Sequence, residues 1–315
     1  MGEGMYRLGA VETPFDQDRV AQAIVRVWTP IYFIVTVFED REHLQAFAVP
    51  PADRPMSSGR KVFLEEGVVL WYVGFTAGEI RGFVDRLSPM YFEVARAFRE
   101  PTTLPAQRVV RMEGGAAAFC VGDGDLFLTN YHVAREEIEA QYRTAGAVDP
   151  TLCRYLRAER GSQVVLVCHP SQDGWKAGED WALLRLRDSG ADPLTPTDRR
   201  PEIGEPVWSF GFPLRSRRGA AAYPDAAGDL RLSRGVVTGL DGEHRFATDL
   251  DGFSGSSGGP VLDAGGRVLG VVQAVHPAGE QGRRAATHAG GMLCVRLDVL
   301  RRRGGPLASG SGCGL

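Results

Sequence analysis

The sequence predicts a mainly β protein, an antiparallel barrel or sandwich preceded by a small α+β domain. Three observations carry that prediction. Short runs of β-favouring residues, separated by Gly, Asp and Pro, recur through the last two-thirds of the chain. The first hundred residues mix helical spacing with two long apolar runs. Between these regions, residues 101–107 (Pro-Thr-Thr-Leu-Pro-Ala-Gln) interrupt every periodicity with two prolines. The expected division is therefore an α+β domain over 1–100, a linker over 101–107, a β domain over 108–303 and a flexible tail over 304–315.

Taken in order, either Asp16 or Asp18 fits the N-cap of a helix reaching Trp28, with Val20, Ile24 and Val27 on one face. Residues 31–37 read as a buried strand and residues 67–75, Gly-Val-Val-Leu-Trp-Tyr-Val-Gly-Phe, as a second. From Glu79 to Phe98 the spacing of Ile80, Phe83, Val84 and Leu87 is helical, with Pro89 dividing it. Beyond the linker, strands are expected at 109–112, 116–121, 126–129, 163–167, 182–186, 207–211, 235–240, 261–262, 267–272 and 292–295. A partly helical insertion over 134–158, broken at Gly146 and Pro150, interrupts the series.

The bulk numbers exclude several function classes. A chain of 315 residues, 43% apolar and 24% charged, is ordinary globular material with room for two barrels and a smaller domain. A net charge of −3 gives no electrostatic reason for nucleic acid or an anionic membrane as partner. Lysine occurs only at Lys61 and Lys176, against many arginines, a bias expected of a GC-rich bacterial genome. The arginine-rich stretches at 215–218 and 301–303 read as solvated loops. The five cysteines are odd in number and without metal-ligand spacing, and the opening Met-Gly-Glu-Gly-Met-Tyr-Arg lacks the order of a secretory leader. The expectation is a cytoplasmic protein with reduced thiols and no metal or organic cofactor.

Three segments carry chemistry. Acyl transfer by a serine requires an approachable hydroxyl, a base for its proton and fixed donors for the oxyanion. Asp251-Gly-Phe-Ser-Gly255-Ser256-Ser257-Gly258-Gly259-Pro260 offers the hydroxyl of Ser257 in a turn whose glycines permit positive φ. In such a turn the amides of Gly255 and Ser257 can converge on one oxyanion. Residues 126–133, Leu-Phe-Leu-Thr-Asn-Tyr-His-Val, deliver His132 at a strand end. Glu179-Asp180-Trp-Ala-Leu-Leu-Arg-Leu places an acid immediately before a buried strand, where it can accept from a histidine Nδ1–H. The order is His132, Asp180, Ser257, at intervals of 48 and 77 residues, each at a strand boundary.

On these motifs, residues 108–300 resemble the trypsin-like serine peptidases, most closely their disulfide-free bacterial members. Leu-Thr-Asn-Tyr-His-Val is similar to that family's histidine motif, Asp-Trp-Ala-Leu-Leu-Arg-Leu to its aspartate motif, and Gly-Ser-Ser-Gly-Gly-Pro-Val-Leu to its nucleophile motif. Trp208-Ser-Phe-Gly-Phe-Pro213 is similar to its strand ending in a Gly-x-Pro turn. The resemblance implies a double six-stranded antiparallel β-barrel and a serine endopeptidase, with His132, Asp180 and Ser257 catalytic and the amides of Gly255 and Ser257 as oxyanion hole. Two departures matter. Val133 and Phe253 replace bridging cysteines of the secreted animal members, in keeping with a reducing compartment. Ser256 stands where those enzymes carry the aspartate that receives a new N-terminus, so zymogen activation by that route is not expected.

Asp251, six residues before Ser257, occupies the place that resembles the floor of trypsin's primary pocket, with Gly252, Val275 and Gly290 or Gly291 as walls. That arrangement implies a protein or peptide substrate cut after Arg or Lys. Asp251 equally fits a cap on its own Asp-Gly turn, and Asp249 and His276 are rival pocket residues. Control is expected from the N-terminal domain, through a regulatory protein partner. The rival functional readings are a catalytically silent binding module of the same fold, and a sensor or adaptor in a bacterial stress or defence pathway with proteolysis as output.

Overall fold

The computed structural model describes residues 12–47, 60–83, 89–112, 115–122, 124–143, 153–159, 164–166, 175–212, 230–251, 255–275 and 291–302. The chain opens with α1 (Gln17–Gln22) and β1 (Ile24–Trp28). Next come β2 (Ile31–Phe38), α2 (Arg41–Phe47), β3 (Arg60–Leu64), β4 (Val68–Thr76), α3 (Ala77–Gly82), α4 (Pro89–Ala97) and β5 (Ala106–Met112). It continues through β6 (Ala116–Cys120), β7 (Leu126–Thr129), α5 (Tyr131–Arg143), β8 (Arg157–Ala158), β9 (Val164–Leu166), β10 (Trp175–Lys176) and β11 (Trp181–Leu186). The last group is β12 (Pro206–Gly211), β13 (Arg231–Asp241), β14 (Arg245–Thr248), β15 (Pro260–Leu262), β16 (Val268–Val275), β17 (Met292–Arg296) and α6 (Leu297–Arg302).

Two compact units result, and they divide the chain differently from the sequence expectation. One contains residues 1–28, 115–214 and 225–315, the other 29–114 and 215–224. The expected boundary over 101–107 is corrected because that segment runs into β5, which pairs with β2 inside the smaller unit. The expected N-terminal domain over 1–100 also loses its first residues, because β1 pairs with β6, Ile24 opposite Phe119 and Val27 opposite Ala116. Asp16 does cap a helix, accepting from the amides of Asp18 and Arg19 at 3.0 and 3.1 Å, but α1 stops at Gln22. Ile24, Val25 and Val27 are β-branched and buried on both faces of the strand, so sheet pairing overrides the helical spacing.

The larger unit holds both expected β layers. Strands β12-β13-β14-β17-β16-β15 close into a six-stranded antiparallel barrel. The other layer is a seven-stranded antiparallel sheet in the order β10-β11-β7-β6-β1-β8, with β9 also on β11. The architecture is the mainly β double-barrel class. One apolar core contains Ile24, Phe119, Phe127, Leu128, Leu183, Trp208, Phe210 and Leu262, and a second, with Val207, Phe246 and Val261, belongs to the closed barrel. Phe15, ahead of α1, meets the Trp208 ring edge-on at a centroid distance of 5.7 Å. Buried Glu137 of α5 accepts from the amides of Tyr155 and Leu156 at 2.5 and 3.0 Å, which fixes the chain leading into β8. The tail over 304–315 lies outside the described residues.

The smaller unit is a four-stranded sheet, β3-β4-β2-β5, in which β2 and β4 run parallel. Helices α3 and α4 pack on one face with Phe33, Val35, Phe75, Ile80 and Val94 in its core. Thr76 and Glu79 close a capping box at the start of α3. This unit is inserted where β1 ends and β6 begins, and Val27 opposite Ala116 makes those two chain ends neighbours.

If β1 is a core strand of the larger unit, Ile24→Ala, at a site 1% exposed, destabilises it by about 2–4 kcal/mol. Chemical denaturation checks this, and an unchanged midpoint would return β1 to a peripheral role.

Candidate active site

Each candidate side chain is delivered by a strand end in the larger unit. β7 ends at Thr129, and Asn130 turns the chain into α5, placing His132 in the first helical turn. Asp180 closes the turn that precedes β11, its amide donating to the Ala177 carbonyl at 3.3 Å. β11 and β7 are neighbours, Ala182 opposite Thr129, so the pairing that buries Leu128 and Leu183 also brings Asp180 to His132. The imidazole Nδ1 lies 2.9 Å from Asp180 Oδ2 and 3.1 Å from Oδ1. The His132 backbone amide donates to Asp180 Oδ1 at 2.9 Å. Asp180 thus caps α5 from another strand, putting its negative charge at the positive end of a 13-residue helix. Its side chain is 12% exposed and that of His132 42%, so one edge of the pair is dry and the other faces solvent.

Ser257 comes from the loop between β14 and β15, and its turn is built against the first sheet. The amide of Ala117, in β6, donates to the Ser257 carbonyl at 2.7 Å. The Thr129 hydroxyl donates to the Ala117 carbonyl at 2.7 Å, tying β7 into the same contact. Gly258 has φ +79, and a Cβ there would collide with the Ala117 carbonyl oxygen and Thr129 Oγ1. Glycine is required at this position on both counts. Gly255 is buried with φ +99, and its carbonyl accepts from the Phe212 amide at 3.2 Å. Ser256, the residue in place of an activation aspartate, is 4% exposed, and a Cβ at Gly211 would lie 2.8 Å from its Cα.

The Ser257 hydroxyl donates to the Gln273 carbonyl at 3.2 Å. A bulge in β16 between Val272 and Ala274 leaves Gln273 without a partner on β17, and this freed carbonyl is the one Ser257 uses. A hydroxyl has one proton, so in this structure Ser257 does not donate to His132. His132 and Asp180 are assembled with each other, and Ser257 is parked on β16.

The remaining candidates are less fully described. Asp251 is exposed. Asp249 Oδ1 accepts from the Val236 amide at 2.6 Å, which commits that acid to the main chain. Val275 ends β16 opposite Met292. Gly252, His276 and Gly290 lie outside the described residues. Among the described residues no cluster of His, Cys, Asp or Glu could hold a metal ion, and no helix is long and apolar enough to cross a membrane. Burial pushes the Cys294 thiol well above its ordinary pKa. The residue that sequence reading passed over is Asn130: buried, two before His132, its Nδ2 donates to the Asp180 carbonyl at 3.0 Å. Its only signal was its place inside the histidine motif.

Residues 116–271 match the trypsin-like peptidase domain family. No curated protein matches the sequence. Among solved structures, the HtrA-type protease AlgW with decapeptide is 16% identical over 90% of this chain and 63% of its own, with a TM-score of 0.44. This chain therefore spans just under two-thirds of that one. Deg5 is 21% identical over 60% of this chain and 81% of its own, TM-score 0.40. The active form of the Rv3671c protease from M. tuberculosis is 16% identical over 60% and 70%, TM-score 0.40. A trypsin-like peptidase domain is thus identified over residues 116–271.

Proposed function

We propose that the chain hydrolyses peptide bonds through an acyl-enzyme, with Ser257 as nucleophile, His132 as base and then acid, and Asp180 as orienter. The observation that carries this reading is the double donation of His132, through its amide and Nδ1, to one Asp180 carboxylate. With Nδ1 committed, Nε2 is the nitrogen left to take the serine proton. Ser257 leaves the Gln273 carbonyl when substrate binds, turns to Nε2 and attacks the scissile carbonyl. The amides of Gly255 and Ser257 receive the oxyanion, each donor contributing about 3–4 kcal/mol in the transition state. Water then resolves the acyl-enzyme by the same proton relay. No step calls for a metal or organic cofactor.

Replacing Ser257 with Ala is expected to lower peptide turnover by roughly 10⁴- to 10⁶-fold while leaving thermal unfolding unchanged. Turnover at the wild-type rate in that variant would remove Ser257 from the chemistry.

For specificity, Asp251 is the acid that receives an Arg or Lys side chain before the cut. The commitment of Asp249 to the Val236 amide favours Asp251 over that rival. Gly252, Val275 and Gly290 are proposed as the walls. Rates on peptides differing only at that residue test the assignment, and a flat series excludes Asp251.

Control is proposed to reside in the inserted unit, residues 29–114, acting through a protein partner in the bacterial cytoplasm. Deleting residues 1–104 cannot test this, because it would remove core strand β1. Joining Trp28 to Gly115 with a short turn keeps the β1–β6 pair intact. The rejoined protein is expected to differ from the full chain in rate on protein substrates. Equal rates on every substrate would argue against control by the insert.

A further inference from the structure

We infer that Asn130 is a positioning residue for the catalytic pair, acting by clamping the main chain of Asp180; the inference rests on the triad reading above. Asn130 follows β7 and immediately precedes α5, with no exposed surface. That is the helix N-cap position, where an asparagine oxygen ordinarily accepts from an amide of the first turn. Here the side chain is used otherwise. Its Nδ2 donates across to the Asp180 carbonyl at 3.0 Å. A carbonyl oxygen only accepts, so the contact itself decides which end of the amide faces Asp180. The other end, Oδ1, is buried with no hydrogen-bond partner among the described residues. Burying an unpaired acceptor is disfavoured, so the orientation is held by what the nitrogen does.

The amide that Asn130 would have capped belongs to His132, and Asp180 Oδ1 takes it instead. Asn130 and Asp180 have exchanged partners. The carboxylate ahead of β11 caps α5, and the asparagine at the cap position holds that carboxylate's own backbone. The backbone needs holding, because Asp180 has φ +56, a left-handed conformation uncommon for residues with a Cβ. Relaxed to extended backbone, Asp180 would swing its carboxylate away from both His132 donors. Asn130 prevents that without touching the imidazole.

Asn130→Asp separates a clamp from a cap. It keeps the size and the capping oxygen but offers the Asp180 carbonyl no donor. The clamp predicts that kcat falls about 10²-fold, the cost of a small displacement of a catalytic group, with KM unchanged. It also predicts that the low-field proton resonance of the His132 Nδ1–H bond is lost or broadened. Asn130→Ala is expected to behave the same way. A residue serving only as helix cap predicts the reverse, with Asn130→Asp equal to or better than wild type. Wild-type kcat in either folded variant overturns the inference, as does a fall in kcat with the resonance intact. If neither variant folds where wild type does, Asn130 is a folding residue and the inference is likewise overturned. Ser257→Ala keeps the two claims apart. Activity surviving there defeats the triad reading, whereas an inactive Ser257→Ala beside fully active Asn130 variants defeats the clamp alone.

Discussion

The contact on which the active region depends is the bond from the Ala117 amide to the Ser257 carbonyl. Ala117 lies in β6, between β1 and β7 in the first sheet, while Ser257 belongs to the loop that feeds the closed barrel. The Ala117 carbonyl accepts from the hydroxyl of Thr129, one residue before Asn130 and three before His132. Two β layers, each with its own hydrogen-bond ladder, are thereby registered at the point where the side chains proposed as catalytic must meet. The requirement for no Cβ at Gly258 follows from the same closeness. Gly258→Val272 and Val272→Gly259 amide-to-carbonyl bonds then pin the nucleophile turn to β16.

The insertion changes how the chain is understood. A boundary drawn at the prolines makes the protein a regulatory domain followed by a protease. The β1–β6 pairing instead places the smaller unit between two neighbouring strands of the first sheet. Such a unit is covalently fastened at both ends to neighbouring strands of the catalytic sheet.

Much of this was legible in the sequence, and the failures have particular causes. Leu126-Phe-Leu-Thr gave β7 to the residue, and the runs at β11, β12, β15 and β17 were found because buried strands in turn-rich sequence are short and continuous. β1 was misread because Val20, Ile24 and Val27 satisfy a helical repeat while Ile24, Val25 and Val27 satisfy a strand, and only pairing with β6 decides. β5 has ordinary strand character and was given to the wrong sheet, since composition does not record a partner. His132 and Ser257 are singled out by local motifs. The joining of His132 to Asp180 depends on β7 pairing with β11, the parking of Ser257 on a bulge in β16, and the use of Asn130 on a contact spanning 50 residues. Each of those contacts is tertiary, and the local sequence marks the residues without fixing the contacts.

The central claim is that one histidine–carboxylate pair activates one serine. A fluorophosphonate probe, followed by peptide mapping, tests it most directly. A single stoichiometric adduct on Ser257 is expected, forming in the wild-type chain and suppressed in His132→Ala. Absence of an adduct, an adduct on another serine, or labelling of Ser257 that persists at full rate without His132 would contradict it.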